Sequence, residues 1–545
     1  SQHSAQHTNQ ISPLHTPPTF QKMRHSASNT KHPRSVLRFV EEKRGNMELQ
    51  LRALGVSAAW NHLTFTLDEK VIRTVYQTFK QLWDDGLIYR GERMVNYCTT
   101  HQTSFADIEV EYKTEKGTLW HIAYPTLDKI GEIVIATTRP ETMLGDVAVA
   151  VHPDDTRYQQ LIGTRILLPI INKEIPIIAD EYVDMTYGTG AVKITPAHDP
   201  NDFEIAQRHH LPIEQIIATD GTMVNVPDDF AGLTVQEARQ KVLKLLQEEE
   251  LLRGDTTIEH AVGHCYKCGS VIEPMIKEQW FVKVQPLAQK AIDHLRAGEI
   301  TFYPATKQKE LIAYLAQLRD WNISRQIPWG IPIPAFVNQH DRTDWIFDTR
   351  VDQTKIVVNN TTYIREEDTF DTWFSSGQWP YIITDYLDQG SLSRFFPTSL
   401  METGSDLLRQ WVARMIMLSL YRTGQVPFRD VYMHGMVNDE HNQKMSKSKG
   451  NVINPIELIS TYGSDATRMG IITGRAAAQN QAFNRGAVIA ARNFCNKLWN
   501  IARFVESQID QSTTKEPVHP DSPADHWIIR QLTQAANTIG VQLSQ

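Results

Sequence analysis

The chain has 545 residues, of which 41% are hydrophobic and 22% charged, and its formal net charge is -8. This length is enough for three or four domains with separate cores, and the composition is that of a globular protein. No uninterrupted apolar run is long enough to cross a bilayer, so we expect no membrane association. The modest negative charge neither predicts nor excludes a nucleic-acid partner.

The four cysteines are too few and too unevenly placed for a disulfide framework in a chain of this size. Their number favours a reducing compartment, and we expect the cytoplasm. Residues 1–38 contain five histidines and no acidic residue, and they have no apolar period. They are predicted to be a disordered or foreign segment. A transit peptide is the alternative, but no clear amphipathic face supports it.

Regular structure is predicted from residue 39 onward. Thr66 and Glu69 form a capping-box pattern before apolar residues at helical spacing, and Gly86 is a predicted helix stop. Residues 132–137 and 147–151 are typical of strands, and 235–252 of a helix. Strand-like and helical runs then alternate, which favours an α/β sheet. The predicted segments are 1–38, 39–117, a β-rich insertion 118–262, an α/β part 263–470 and a helical region 471–545.

A lysine-rich loop, Lys444-Met445-Ser446-Lys447-Ser448, is followed by a glycine and has no acidic residue nearby. Flexible lysine side chains of this kind can bind phosphate groups and stabilise their charge as they leave. A lysine run is more often only a solvated surface loop. The whole string, however, resembles the signature of class I aminoacyl-tRNA synthetases.

That resemblance implies a Rossmann-type nucleotide-binding catalytic domain, with 39–117 as the remainder of its first half and 263–470 as its second half. It also implies the activation of an amino acid by ATP with Mg²⁺. Lys447 would stabilise the pyrophosphate, with Lys444 and Ser446 beside it. The stretch Glu402–Asp406 resembles the strand-to-helix turn of the family, in which Gly404 lets the nucleotide approach and Asp406 takes the ribose hydroxyls. His434 and Gly435 would line the adenine pocket. For each of these the alternative is an ordinary turn.

Two polar motifs lie in the β-rich insertion, at 136–146 and 188–202, and both resemble the editing domain of valyl-tRNA synthetases. An apolar pocket cannot strongly exclude threonine from a site for valine, and the valine enzymes are the usual example of this limit. A second, hydrolytic pocket needs an anion for the α-ammonium and polar partners for the threonine hydroxyl. By resemblance Asp202 is the ammonium anchor, and the other editing residues are Arg139, Thr142, Lys193, Thr195 and Asp199. The alternative is that these side chains only cap turns.

Cys265 and Cys268 have the spacing of two zinc ligands, and Cys98 with His101 would supply two more. Their pairing rests on a family knuckle that usually has Cys where His101 stands. A redox pair or two buried thiols is the alternative. The stretch 330–365, where some relatives carry a second knuckle, contains no cysteine.

The string Asp371–Ser376 resembles the family sequence in which Trp373 forms one wall of the valine pocket, with Leu407 opposite. A core tryptophan is the alternative. Asn322 stands at a position where the family often has Cys, which indicates that the chain is a divergent member of it. The His-Ile-Gly-His-type motif of these synthetases does not occur in the sequence. We therefore expect a chain that is incomplete at both ends and deficient in adenylation, with 491–500 opening an anticodon-binding bundle.

Three functions remain open from the sequence. The first is a monomeric ligase for valine and tRNA(Val) with editing of threonyl-tRNA. The second is deacylation alone, and the third is a non-catalytic RNA-binding remnant.

Overall fold

The computed structural model describes residues 40, 45–127, 131–327, 329–445, 450–509 and 521–544. The predicted disordered segment 1–38 lies outside these residues, as do Ser446 and Lys447 of the lysine loop. The chain divides into two compact units. The first contains Ala58–Val437 and Ala476–Gln481, and the second contains Met47–Ser57, Asn438–Arg475 and the chain from Ala482 onward.

The centre of the first unit is a three-stranded parallel sheet. Its strands follow the order Thr301–Tyr303, Phe428–His434 and Thr398–Gly404. Val431 and Met433 are fully buried on one face of the middle strand, because alternate residues of a strand point to opposite faces. Four helices share one hydrophobic core with this sheet: Glu69–Asp84, Gln285–Arg296, Thr306–Ala316 and Ala413–Thr423. The predicted α/β class is confirmed.

The helix Glu69–Asp84 buries the residues that its apolar period predicts, and Phe79 and Leu82 are fully buried. Its predicted start is wrong. Asp68 occupies the N-cap position, and its carboxylate accepts a hydrogen bond from the Phe65 amide at 2.7 Å. Gly86 follows the helix with a φ of 68°, a left-handed conformation that glycine adopts without a Cβ penalty.

A β-rich body occupies residues 110–265. Two long antiparallel strands, Val110–Pro125 and Leu252–Cys265, form a ribbon, and Glu132–Thr137 pairs with the first of them. The predicted segment boundaries at 117/118 and 262/263 fall inside these paired strands. A second sheet and two helices complete the body: strands Arg165–Leu168, Lys173–Ala179, Ala148–Val151 and Ala191–Ile194, in that order, and helices Pro200–His209 and Val235–Glu248.

The first unit also contains several smaller sheets. The antiparallel sheet next to the ribbon has the order Trp321–Asn322, Glu273–Val282, Ile88–Cys98 and Thr103–Phe105. A separate four-stranded sheet has the order Trp345–Phe347, Ala335–Asn338, Thr361–Arg365 and Lys355–Val358. Smaller elements are the strand pair Ser324–Arg325 with Thr369–Phe370 and the helices Thr372–Ser376 and Trp379–Ile383.

The second unit contains the helices Pro455–Tyr462, Ser464–Ile472, Arg485–Gln508 and Pro523–Ser544. The prediction that everything after residue 471 is helical is wrong at Gln481–Ala482, which form a short strand. None of the described helices combines the length and apolar character needed to span a membrane.

Gly435 directly follows the central strand and permits a close backbone approach. A Cβ at this position would lie 1.8 Å from the carbonyl oxygen of Gln479. Gly435→Ala is therefore expected to lower the free energy of unfolding by about 3 kcal/mol, because backbone atoms must move. Chemical denaturation monitored by circular dichroism measures this change.

Gly91→Ala is the matched control, because its Cβ would come no closer than 3.4 Å to the Tyr89 ring. Equal stability of the two variants would contradict the assignment of Gly435 to a steric requirement.

Candidate functional site

A buried polar cluster lies inside the β-rich body, and it consists of Thr142, Asp146, Lys193, Thr195 and Asp202. These side chains are between 0% and 8% exposed. The paired strands Ala148–Val151 and Ala191–Ile194 bring the two motifs together, because Val149 lies opposite Lys193. The structure thus places four predicted editing residues side by side.

Lys193 is the centre of this cluster. Its Nζ donates to Thr142 Oγ1 at 2.7 Å, to Thr195 Oγ1 at 2.5 Å and to Asp146 Oδ1 at 3.1 Å. An ammonium has three hydrogens, so all of them are used inside the protein. Asp146 also accepts from Thr195 Oγ1 at 2.5 Å and from Tyr124 Oη at 2.7 Å.

Asp202 lies in the first turn of the helix Pro200–His209, where the helix dipole favours a negative charge. Its Oδ2 accepts from the Thr195 amide at 2.8 Å. Burial and, next, the neighbouring carboxylate of Asp199 raise the pKa of Asp202 to about 8. A cation that enters beside this carboxyl would stabilise its charged form.

Asp199 is the N-cap of the same helix. Its Oδ1 accepts from the amides of Asn201 at 2.8 Å and Asp202 at 3.2 Å. This capping fixes the start of the helix that carries Asp202. The structure shows Asp199 in this local role and half-buried at the edge of the cluster.

Arg139 lies beside the cluster within a network of charges. Its guanidinium donates to Glu273 Oε2 at 2.5 Å and to Glu141 Oε1 at 3.3 Å, and its carbonyl oxygen accepts from Thr142 Oγ1 at 2.9 Å. Arg239 donates twice to Glu141, at 2.7 and 2.9 Å. These ion pairs join the motif at 136–146 to the strand Glu273–Val282 and the helix Val235–Glu248.

Three of the predicted nucleotide-site residues lie together at the carboxyl ends of two parallel strands. Gly404 is paired with His434. A Cβ on Gly404 would lie 2.5 Å from Asp406 Oδ1 and 3.4 Å from His434 Nε2. The ends of parallel strands are the usual place for ligands in α/β sheets. His434 Nδ1 contacts Glu402, and Gly435 follows next in the chain.

The two residues of the predicted valine pocket lie on separate short helices. Trp373 is half-buried in the helix Thr372–Ser376, whose N-cap Asp371 accepts from the Trp373 amide at 3.2 Å. Leu407 is half-buried at the end of the short 3-10 helix Ser405–Leu407. Their facing positions remain a prediction.

Lys444, the first lysine of the loop, lies in the second unit and is exposed. Asp439 and Asn451 join the two ends of the loop. The Asn451 amide donates to Asp439 Oδ2 at 2.8 Å, and Asp439 Oδ1 accepts from the Gln443 amide at 2.7 Å.

Cys98, His101, Cys265 and Cys268 form a compact group, with ligand atoms that all lie within 4.8 Å of one another. The sulfurs of Cys98 and Cys268 are 3.7 Å apart, and Cys98 Sγ is 3.4 Å from His101 Nδ1. A tetrahedral zinc ion, with bonds of about 2.3 Å to sulfur and 2.0 Å to nitrogen, holds its ligand atoms about 3.5–3.8 Å apart. The four side chains therefore fit such an ion.

The thiols of the group differ in their surroundings. Burial raises the pKa of Cys265 to about 11. Burial alone would also raise the pKa of Cys268, but hydrogen bonds with the hydroxyl and amide of Ser270 and with the thiols of Cys265 and Cys98 outweigh it and bring the pKa to about 7. Thiolates are the form that binds metal.

Known proteins match this chain over most of its length. The family model for "tRNA synthetases class I (I, L, M and V)" matches residues 18–483. The chain belongs to this family. A "Valine--tRNA ligase" of Fusobacterium nucleatum subsp. nucleatum is 43% identical over 507 residues, which cover 92% of this chain and 57% of that protein. For the protein of the same name from Symbiobacterium thermophilum the identity is 43%, with 96% of this chain and 58% of that protein covered.

This member of the class I synthetase family thus spans a little over half the length of its curated relatives. Among solved structures, that of the Agrobacterium radiobacter K84 agnB2 LeuRS with tRNA and LeuAMS covers 91% of this chain and 69% of that chain, at 17% identity and a TM-score of 0.46.

Sequence reasoning did not select Asp146 or His198 as site residues, although both lie within the two motifs. A signal for Asp146 was available. A lysine inside a strand of buried residues needs an anion, and Asp146 directly precedes the segment that pairs with that strand. The ring contacts of His198 had no such signal, since its partners lie in other segments.

The four-residue group at Cys98 predicts one bound Zn²⁺ per chain. Elemental analysis of the purified chain measures the stoichiometry. After exchange for Co²⁺, the visible absorption spectrum should be that of a tetrahedral site with thiolate ligands. Cys265→Ser is expected to lower metal content severalfold, because a thiolate ligand is lost. Cys495→Ser, outside the group, is the control and keeps full occupancy. Equal metal content in the two variants would exclude this site.

The raised pKa of Asp202 predicts a pH-dependent stability. Between about pH 4, where an unfolded aspartate titrates, and about pH 8, only the folded state holds the proton. The free energy of unfolding therefore falls as pH rises through this window, by at most about 1.4 kcal/mol per pH unit. Asp202→Asn removes this dependence. The free energy of unfolding of the variant, minus that of the unchanged chain, should therefore increase from pH 5 to pH 7.

Asp228→Asn is the control for this measurement, because Asp228 is exposed in the same body. A pH-independent difference between Asp202→Asn and the unchanged chain would show that the carboxyl of Asp202 is charged throughout.

Proposed function

We propose that the buried polar cluster hydrolyses threonyl-tRNA(Val), within a protein that ligates valine to tRNA(Val) using ATP and Mg²⁺. The observation that carries the proposal is the assembly of Thr142, Asp146 and Thr195 around the buried Lys193, with Asp202 bonded to the Thr195 amide. Support also comes from the relatives named "Valine--tRNA ligase", which are about 43% identical over nearly the whole chain.

The hydrogen bonds inside the cluster set the chemistry that it offers to a substrate. Thr195 donates its hydroxyl hydrogen to Asp146, and Thr142 donates its own to the Arg139 carbonyl. Each hydroxyl oxygen accepts from Lys193 and retains capacity for one more donor. The cluster therefore has free hydrogen-bond acceptors, and a substrate hydroxyl can donate a hydrogen bond to one of them. Threonine has this donor and valine lacks it.

Asp202 supplies the anion for the α-ammonium of the aminoacyl ester. Because its pKa is near 8 without a ligand, the arriving ammonium replaces a proton as the partner of the carboxylate. Hydrolysis then needs only water. The water oxygen bonds to the ester carbonyl carbon, and the bond from that carbon to the ribose oxygen breaks. A proton of the water passes to the ribose oxygen, so the products are threonine and tRNA with a free ribose hydroxyl. Arg139 holds the segment that presents Thr142.

The remaining parts of the ligase are proposed on the same family resemblance. Asp406, Gly404, His434 and Gly435 would receive ATP, with Lys444, Ser446 and Lys447 acting on its phosphates. Trp373 and Leu407 would bound the valine side chain. Zn²⁺ at the group of Cys98, His101, Cys265 and Cys268 would hold two distant chain segments together, which is a structural role. We propose a monomer.

Deacylation without ligation is the second candidate. Its support is that all members of the buried polar cluster lie among the described residues and are bonded to one another there. Under this candidate the chain hydrolyses threonyl-tRNA and does not catalyse valine-dependent pyrophosphate exchange.

Two assays on the purified chain separate these functions. Release of threonine from threonyl-tRNA(Val) above the spontaneous rate is expected under both, and pyrophosphate exchange above background is expected only for the ligase. Absence of both activities would favour a non-catalytic RNA-binding role.

Asp202→Ala is expected to lower the hydrolysis rate by about 100-fold or more, because the ammonium loses its anchor and the ester loses its orientation. Asp228→Ala, on the surface of the same body, is the control and should hydrolyse at the unchanged rate. Unaltered hydrolysis by Asp202→Ala would remove Asp202 from the site.

A further inference from the structure

The imidazole of His198 is 2% exposed and bonded at both nitrogens. Nδ1 lies 3.2 Å from the carbonyl oxygen of Pro274. Nε2 accepts from the amides of Ile216 at 3.0 Å and Ile217 at 3.3 Å. A carbonyl oxygen only accepts and an amide only donates, so these partners fix a neutral ring with its hydrogen on Nδ1.

The surroundings keep the ring in this state. Burial and, next, the positive charge of Arg139 lower the pKa of His198 to about 3. The ring therefore stays uncharged at neutral pH and neither gives nor takes a proton there. The backbone carbonyl oxygen of His198 lies 3.4 Å from Arg139 Nη1, so both the backbone and the side chain of His198 are fixed in place.

His198 stands between the two residues that position Asp202. Thr195, three residues before it, donates its amide to Asp202, and Asp199, directly after it, accepts from the Asp202 amide. A shift of the His198 ring would move this segment. The imidazole thus ties the ammonium-binding carboxyl to Pro274, which lies in the strand Glu273–Val282.

The same ring also supports the opposite side of the cluster. Ile216, whose amide bonds to Nε2, packs against Gly145: a Cβ on that glycine would lie 3.1 Å from the Ile216 side chain. Gly145 directly precedes Asp146, the partner of Lys193. His198 therefore connects the segment of Asp202 with the segment of Asp146, and the connection to Asp146 runs through Ile216.

We propose that His198 is a positioning residue for hydrolysis at the buried polar cluster: its ring fixes Asp202 on one side and the segment of Asp146 on the other. It does not touch the substrate. The proposal rests on the hydrolytic function proposed above and assigns to it a residue outside the substrate contacts.

Two substitutions test the hydrogen bonds at the two ring nitrogens separately. The Gln side chain of His198→Gln is long enough to place its amide oxygen near the position of Nε2 and to accept from Ile216. The shorter side chain of His198→Asn places its amide nitrogen near Nδ1, so it can donate to Pro274 but cannot reach Ile216. His209→Gln is the control. His209 is the last residue of the helix Pro200–His209, which begins just after His198, and its Nε2 is 2.9 Å from Asp180.

The expected kinetic result is a loss of kcat at nearly constant KM. His198→Asn should lower kcat for threonyl-tRNA(Val) by about 100-fold, because small misplacements of aligned groups have effects of this size. His198→Gln should restore most of the rate, and His209→Gln should retain all of it. Equal losses in His198→Asn and His198→Gln, or a rise in KM with kcat unchanged, would overturn the positioning role.

Hydrogen exchange provides a test that needs no activity. Peptides covering 195–202 and 215–218 should exchange faster in His198→Asn than in the unchanged chain or in His198→Gln. If the unchanged chain hydrolyses nothing, the proposed function fails, while the exchange rates still decide whether the ring orders these segments. Unchanged exchange in His198→Asn would refute the proposal.

Discussion

The β-rich body depends on one buried ion pair, Lys193 with Asp146. Transferring two charges out of water costs several kcal/mol for each ion, and only excellent geometry with further hydrogen bonds offsets that cost. Here the ammonium uses all three hydrogens, and the carboxylate accepts from Lys193, Thr195 and Tyr124. Each group completes the hydrogen bonding of the others, so the positions of Thr142 and Thr195 are fixed together.

The same constraint explains why the two motifs need the sheet between them. Asp146 and Lys193 lie on different chain segments, and the antiparallel register that sets Val149 opposite Lys193 brings them within reach. A shift of one residue would turn Lys193 to the other face of the sheet and leave two buried charges unpaired. Around this pair, Arg139 with Glu273 and Arg239 with Glu141 join the motif at 136–146 to its neighbours.

The body is also connected to the group of Cys98, His101, Cys265 and Cys268. The strand Glu273–Val282 begins with the carboxylate that binds Arg139, and it pairs with Ile88–Cys98, which ends on a thiol of the group. The ribbon strand Leu252–Cys265 ends on another thiol. A metal ion at this group would therefore hold the ends of strands that also support the buried polar cluster.

The sequence by itself determined the family through its motifs, the α/β class, and the polar residue types at 136–146 and 188–202, because motifs and periodicity are read from near neighbours. It missed the partner of Lys193, the ring contacts of His198 and the true start of the helix Glu69–Asp84. The family resemblance predicted that Cys98 meets Cys268 across 170 residues, and the structure brings the two thiols together. Only the tertiary structure decided that Asp146 neutralises Lys193. The physical reason is that such pairings depend on strand register and on the packing of distant segments, and no local pattern encodes either of them.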